Sequence, residues 1–279
     1  MKRKHALLTP LMIIVTLLLA LPLLLAIINA FKPNEMIIYH PFALPDLSSD
    51  IFVNFKKALN RPDRLVQRGV LNSIFIVTIS VIIIVILSSM TGYYLARHSN
   101  RRSKLMQLLF LAGLMVPIQI TLIPMIRFYG MIGLLGTYPG LITVMSGGGL
   151  LAFAVFIYSG FIKTIPRELD EAAIIDGASD LRLFWQIIFP LVRPATASVI
   201  IFLSLFLWND FLQPYFILGP AKGMTATMGI YILAGSVGWS PDYGQSFAII
   251  MMVQAPILIL FFFMQKHFIA GLTGGALKS

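Results

Sequence analysis

Long apolar stretches separated by short charged ones make up most of this chain. Asp, Glu, Lys and Arg are absent from five stretches, which are 6–31, 69–96, 105–126, 128–162 and 243–265. A sixth apolar stretch begins at 194 and continues past Asp210. Because about 20 apolar residues cross a bilayer as a helix, the pattern predicts six membrane-spanning helices. Their expected bounds are roughly 8–30, 70–95, 105–126, 139–161, 192–216 and 245–267.

Local signals decide where two of these helices begin. Three glycines and Pro139 interrupt the first part of the long stretch 128–162, so the fourth helix is expected to start near Pro139. The first stretch follows a basic start, as in a signal peptide. Its apolar part is about twice as long as a signal core, however, and no small-residue cleavage site precedes Lys32. An uncleaved first helix is therefore expected.

Composition supports a membrane protein. The 279 residues are 58% apolar and only 11% charged, against roughly 25% charged in an average soluble domain. The mean hydropathy is +0.89. So few charges cannot cover a water-soluble globule, which excludes a disordered chain and an ordinary soluble enzyme. We predict an all-α polytopic membrane protein that forms a single domain over 1–279.

The positive charges indicate an orientation. With the N-terminus inside, cytoplasmic segments carry thirteen Lys and Arg and outer segments carry eight. The loop 97–104 is the clearest case, with four positive residues and no acid. The positive-inside rule then predicts that both termini are cytoplasmic. The net charge of +10 is assigned to this bias and to contact with membrane lipid, and not to nucleic acid, since no basic face with interleaved aromatic residues is present.

The chain lacks the residues that metal binding and several kinds of catalysis require. The chain has no cysteine, and its four histidines are scattered, so we expect no metal site. No catalytic residue and no cofactor of this subunit are predicted, because neither a nucleophile motif nor a complete phosphate-binding loop occurs. The outer loop 32–68 is rich in Pro and Asp and becomes helix-like over about 51–60. It is read either as a spacer or as a docking surface for an external partner.

The cytoplasmic loop 163–193 differs from a simple connection. It contains five of the eleven acidic residues, which are Glu168, Asp170, Glu171, Asp176 and Asp180. Pro166 and the first three acids are typical of a first helical turn, and Gly177 is typical of a helix end. The loop thus predicts a helix over 166–177 and a second one over about 180–188 that stops at Pro190.

The first of these loop helices is a candidate docking element. One face is acidic, and the other carries small and apolar residues, namely Leu169, Ala172, Ala173 and Ile175. Small side chains allow another surface to approach closely. An amphipathic helix lying on lipid remains the alternative. Such helices usually have Lys and Arg on the polar face, so the acidic face favours a protein partner.

These residues resemble a known family. The pattern Glu171-Ala172-Ala173, followed by Gly177 and Pro190, is similar to the EAA loop of permease subunits in binding-protein-dependent ABC importers. The fuller stretch 166–178 resembles the carbohydrate branch, in particular the maltose-type second permease. Further similar pieces are Asn72-Ser73, Gly92–Arg97, Met115–Gln119, Ile123-Pro124, Leu134–Tyr138, Trp208–Phe211 with Pro214, and Gly271–Lys278. The resemblance covers nearly the whole chain, and only 224–229 departs from the common pattern.

The resemblance implies an assembly. The partners would be a second homologous permease, two ATPase subunits and an external solute-binding protein, with ATP and Mg on the ATPase subunits. The loop helix would be a coupling helix that docks on the ATPase. The residues implied in this contact are Glu168, Glu171, Ala172, Ala173, Asp176 and Gly177. The tail 271–279 is expected to touch the ATPase as well.

Polar residues within the apolar stretches are candidates for the solute pathway. Sugar hydroxyls need donors and acceptors, while sugar C–H faces stack on aromatic rings. The candidates are Asn72, Gln119, Tyr158, Trp208, Asn209, Asp210, Gln213 and Tyr215. Each is equally a candidate for helix-to-helix hydrogen bonding.

Alternative functions remain open at this point. An ABC permease for glycerol phosphate or another small solute would share the same loop. An anionic solute would favour Lys or Arg in the pathway, and this chain offers only Arg127, near a span end. A secondary transporter would usually need acids within the membrane or an inverted repeat; neither is visible, and the acidic loop would be unexplained.

Overall fold

A computed structural model of the chain describes residues 2–48, 50–220, 222–235 and 242–276, with side chains given within 9–48, 50–220, 222–234 and 242–265. All regular secondary structure in these ranges is helical, which confirms the all-α prediction. The α-helices are α1 (Lys2–Ala30), α2 (Asn34–Tyr39), α3 (Val53–Leu59), α4 (Leu65–Arg97), α5 (Arg101–Met115), α6 (Ile118–Met131), α7 (Tyr138–Met145), α8 (Gly148–Ile162), α9 (Glu168–Ile175), α10 (Asp180–Leu183), α11 (Phe189–Leu191), α12 (Arg193–Asn209), α13 (Ala226–Gly235) and α14 (Tyr243–Ala276). The end of the tail predicted to touch an ATPase, 277–279, lies outside the described residues.

The apolar helices provide two kinds of candidate membrane spans, which are single long helices and bent pairs of shorter ones. Within the described residues, Thr9–Ala30, Leu65–Arg97 and Tyr243–Gln265 are single helices of sufficient length and hydropathy. Three further candidates are bent pairs of helices, namely α5 with α6, α7 with α8, and the segment Asp180–Leu191 with α12. If each pair is one span, the described chain has up to six.

The third predicted helix, 105–126, is broken in the structure. α5 and α6 meet at Val116 and Pro117 with a bend of 100°. Val116 is extended, at φ −80° and ψ 113°, and Pro117 precedes the first turn of α6. Proline has no N–H to donate and disfavours a helical conformation in the residue before it. The third predicted helix is therefore two helices that meet at a sharp bend.

The fourth and fifth predicted helices also differ from expectation. The fourth begins at Tyr138, beside Pro139 as predicted, but it bends by 44° at Ser146 and Gly147. The fifth was expected to reach 216, yet α12 ends at Asn209 because Asp210 is extended. In the loop, the second helix does not stop at Pro190; it becomes a π-helical turn at Phe184–Ile188 and continues as α11.

The described chain forms two compact units, one of residues 1–70 with 229–256. In this unit α3, at Val53–Leu59, corresponds to the helix expected over about 51–60. The buried Lys32 ammonium donates to Asn29 Oδ1 and to the carbonyls of His40 and Pro41, at 2.9–3.2 Å. Lys57 pairs with Asp242 at 3.1 Å. These contacts tie the loop 32–68 to its own unit.

The second unit contains the described residues of 71–228 and 257–276. Here α8 packs on α5 and α12, and α4 approaches α8 closely. A Cβ placed on Gly92 of α4 would lie 2.7 Å from Tyr158 Cβ and 3.0 Å from the Ser159 nitrogen. Glycine at 92 is thus what permits the two helices to touch.

Candidate functional site

The loop helix α9 is a short acidic helix with a well-defined end. Glu168, Asp170 and Glu171 lie in its first turn, where carboxylates complement the helix dipole. At the other end, Gly177 has a φ of +79°. The Gly177 nitrogen donates to the Ile174 carbonyl and the Ala178 nitrogen donates to the Ala173 carbonyl, both at 3.0 Å. This pair of bonds is the Schellman motif, and it sharply turns the chain after α9.

The predicted coupling residues divide by exposure. Glu168, Glu171, Ala172, Asp176 and Gly177 are all exposed. Ala173, in contrast, is only 5% exposed, because it faces its own chain. Its small size therefore serves internal packing, and Ala172 alone offers a small exposed side chain. The exposed apolar residues beside these acids are Leu169, Ile174 and Ile175.

A buried ion pair holds α9 in place. The Arg97 guanidinium, at the end of α4, donates from Nη2 to Asp170 Oδ1 at 3.0 Å, and both side chains are nearly buried. Arg97 Nη1 also donates to the carbonyls of Ile165 and Ile162, at 3.0 and 3.3 Å. Arg167 in turn donates to the Arg97 carbonyl at 3.3 Å. Sequence reasoning missed this pairing, since Arg97 and Asp170 are 73 positions apart.

An aromatic cluster supports the second half of the loop. The Ser179 side chain accepts from the Arg182 nitrogen and caps α10. In the π-helical turn Phe184–Ile188, the rings of Phe184 and Trp185 contact each other and Phe189. The Tyr93 ring, near the end of α4, lies 5.6 Å from Phe184 between centroids. α4 therefore contacts both halves of the loop.

A second candidate site is a cavity of about 1100 Å³. All of its lining residues belong to the unit that contains 71–228, from α5, α6, α7, α8 and α12 and the residues after α12. Of the predicted pathway residues, Asn209, Asp210 and Gln213 line it. The other five do not. The wall also includes phenylalanines that the sequence analysis did not single out, Phe153, Phe202 and Phe206.

Asp210 is placed by the end of α12. Its Oδ1 accepts from the Leu212 nitrogen at 3.0 Å and from the Gln213 nitrogen at 3.4 Å, which caps the following turn. The Asp210 carbonyl accepts from Thr227 Oγ1 at 2.8 Å. Asp210 thus breaks the predicted fifth helix and starts the turn that brings Gln213 to the cavity wall.

The pathway candidates outside the cavity have other surroundings. The Asn72 amide donates to the Met224 carbonyl at 2.9 Å. Tyr158 is fully buried, and its hydroxyl donates to Thr196 Oγ1 at 3.0 Å. Trp208 is buried, Gln119 is exposed, and the Tyr215 ring lies beside Phe211 and Phe216. For Asn72 and Tyr158, the open alternative of hydrogen bonding between segments is the one observed.

Apolar helices that line a cavity and an exposed acidic loop helix suit a membrane transport component. Residues 85–274 match the family described as "binding-protein-dependent transport system inner membrane component", and the chain belongs to this family. The match contains the loop, the cavity and the bent helix pairs from α5 onward. The predicted family is therefore confirmed.

Relatives agree over nearly the full length. The chain is 32% identical to the diacetylchitobiose uptake system permease protein of Streptomyces coelicolor, over 96% of this chain and 87% of that protein. It is 30% identical to a probable starch degradation products transport system permease protein of Thermoanaerobacterium thermosulfurigenes, over all of both chains. Its fold is similar to a chain of a bacterial ABC transporter involved in the import of the acidic polysaccharide alginate, with a TM-score of 0.81, 19% identity, and coverage of 96% of this chain and 97% of that chain.

Proposed function

We propose that this chain is a permease subunit of an ATP-driven importer for a sugar or oligosaccharide and forms half of its translocation pathway. The family match and the sugar permeases among the relatives support this proposal. The chain is a transport component, and ATP with Mg is bound and hydrolysed by partner ATPase subunits. A second homologous permease completes the pathway, and an external binding protein delivers the solute.

The contact with the ATPase is formed by α9. The exposed carboxylates Glu168, Glu171 and Asp176 provide its polar part, and Ala172 with the apolar Ile174 and Ile175 provides the close packing. Apolar side chains that are 58% and 86% exposed at Ile174 and Ile175 favour burial away from water, and the acidic residues beside them favour protein over an anionic lipid surface. The single observation that carries the proposal is this exposed acidic and apolar helix, held rigidly to α4.

Transport then follows as a population shift. Closure of the ATPase pair on ATP displaces α9, and the Arg97–Asp170 ion pair passes that displacement to α4. The spans alternate between inward-facing and outward-facing states. The bias of thirteen against eight Lys and Arg supports cytoplasmic termini and a cytoplasmic α9, beside the ATPase.

The test is ATPase retention and stimulation in the purified complex. The full chain, its partner permease and the ATPase subunits are purified together and placed in lipid with solute-loaded binding protein. Glu171→Ala is expected to shed ATPase subunits or to lose the stimulation, whereas Glu35→Ala, which removes an exposed acid of the outer loop, is expected to retain both. Equal behaviour of the two variants, or the absence of any co-purifying ATPase from the unmodified complex, contradicts the proposal.

A further inference from the structure

The cavity wall contains a ladder of three phenyl rings. Phe153 of α8 and Phe202 of α12 are stacked, with ring centroids 4.1 Å apart and an interplanar angle of 29°. Phe206, one turn further along α12, lies 4.6 Å from Phe202. All three rings line the cavity. A continuous aromatic surface of this kind offers stacking area to flat, partly apolar molecules.

Polar groups lie at the end of α12, beyond Phe206. Asn209 and Gln213 line the cavity there, and each carries an amide oxygen that accepts hydrogen bonds. The Asn209 amide nitrogen already donates a hydrogen bond to the Leu205 carbonyl, at 2.8 Å. Gln213 Oε1 is shielded from water and has no hydrogen-bond partner in the described part of the chain. A buried acceptor without a donor is costly, so a rotation of the Gln213 amide that brings Oε1 to a solute hydroxyl in the cavity relieves that cost.

The charges of the cavity select against anions. Asp210 is the one charged residue among those that line it, and no Lys, Arg or His is included. An anion placed in this mostly apolar space would find no cation and would be repelled by the Asp210 carboxylate. A neutral molecule with hydroxyl groups meets no such penalty.

We propose that this chain itself carries a solute subsite for a neutral oligosaccharide, with sugar C–H faces on the Phe153–Phe202–Phe206 ladder and hydroxyls at Asn209 and Gln213. The inference rests on the proposed function and deepens it. It assigns solute contact to this subunit rather than to the partner permease alone. It also separates the chain from transporters of phosphorylated or acidic sugars, because the described residues that line its cavity include no Lys, Arg or His to pair with an anionic group.

The experiment measures uptake into proteoliposomes that contain the complete complex, together with the binding protein. The neutral probes are radiolabelled diacetylchitobiose, raffinose and maltotriose, and the acidic probe is an alginate trisaccharide. Uptake of at least one neutral probe and none of the acidic one is expected. Gln213→Leu is expected to lower uptake of that neutral probe at least tenfold. Phe202→Leu, which keeps an apolar side chain but removes the ring, is expected to lower it about fivefold by loss of stacking.

A matched variant and two further readouts keep the outcomes distinct. Gln107→Leu, in α5 and not among the cavity-lining residues, is expected to stay within twofold of the unmodified complex. All three variants are expected to retain their ATPase subunits and the partner permease. Uptake of the acidic trisaccharide, uptake of no neutral probe, unchanged uptake by Gln213→Leu, or loss of the partner permease from that variant each overturns the subsite. Loss of ATPase co-purification from the unmodified complex overturns the proposed function instead.

Discussion

Arg97 and Asp170 form an ion pair that joins the end of α4 to the first turn of α9, with Nη2 and Oδ1 3.0 Å apart. The arginine also holds two carbonyls at the end of α8 and in the residues just after it, so one guanidinium connects three segments. Side chains that are 8% and 12% exposed make this pair poorly accessible to water. The loop helix is therefore a fixed extension of the second predicted span.

Removal of either partner should release α9. Arg97→Gln or Asp170→Asn leaves one buried charge without its counterion, a change that costs about 3–5 kcal/mol in buried pairs. We expect each variant to unfold at a lower temperature and to lose ATPase subunits on purification. The double variant should be less impaired than the sum of the two, because no uncompensated charge remains. Arg101→Gln, at an exposed position, is the control, and strictly additive effects would contradict a direct pairing.

Gly177 should be replaceable only by residues that tolerate a positive φ. At φ +79°, an alanine is strained by roughly 1–2 kcal/mol, whereas asparagine adopts this conformation more readily. The space around Gly177 is open, so the added side chain itself causes no clash. Gly177→Ala is expected to lose most of the stimulation of ATP hydrolysis by loaded binding protein, and Gly177→Asn to keep most of it. Equal activities would argue that backbone conformation at 177 is not the requirement.

Two glycines that differ in their surroundings test the contact between α4 and α8. Gly92→Ala would place a Cβ 2.7 Å from Tyr158 Cβ, so the helices must separate; overpacking of this kind typically costs about 1–3 kcal/mol. Gly160→Ala, in α8, meets nothing within 4 Å and should be neutral or slightly stabilising, since alanine favours helix. Thermal unfolding of the purified complex distinguishes them, and a stable Gly92→Ala complex would refute the close approach.

Ser73 of α4 caps the beginning of a distant helix. Its Oγ accepts from the Ala226 nitrogen, the first residue of α13, at 2.8 Å. Loss of such a cap typically costs about 1 kcal/mol. Ser73→Ala is expected to increase hydrogen exchange of the backbone amides near 226, while Ser246→Ala, which removes a bond to the Asp242 carbonyl instead, leaves them unchanged. Exchange that stays constant in Ser73→Ala would contradict the capping role.

Acid should weaken the loop 32–68 through Asp63. Hydrogen bonds from Arg61 lower the pKa of the Asp63 carboxyl, and the same carboxylate accepts from the Leu65 nitrogen at the start of α4. A lowered pKa means that the folded state favours the ionised form. The stabilisation is complete above the ordinary pKa of about 3.9 and is lost as the pH falls through the lowered value. Asp63→Asn should flatten this part of a melting-temperature profile between pH 6 and 3; parallel profiles would contradict the assignment.

Local signals were the ones that sequence reasoning interpreted correctly. The end of α9 at Gly177 and the start of the second loop helix near 180 depend on neighbouring residues, and both are observed close to their predicted positions. Hydropathy alone located the apolar helices, because a membrane demands uniform composition over a whole span. The break at Pro117 lies within such a stretch, where hydropathy does not change and only backbone geometry does.

Distant partnerships could not be predicted. Asn72 was a candidate for the solute pathway or for a hydrogen bond between helices, and its amide donates to the carbonyl of Met224, 152 positions away. Asp210 was identified from its charge, whereas its capping of 212 and 213 ended a helix that composition alone extended to 216. A polar residue in an apolar stretch signals that a partner exists, and the folded chain decides which one it is.

The first helix carries a different kind of constraint from the rest of the chain. From Thr9 to Ala30 its most apolar window is 0% buried within this chain, and the family match begins only at residue 85. In the described part of this chain, no residue packs closely around these positions. They therefore require apolar side chains and enough length to cross the membrane, but no particular side-chain shape. Exchange of Leu, Ile and Val within that window should therefore accumulate freely as sequences diverge, whereas the end of the helix, where Asn29 and Ala30 are buried, should tolerate less change.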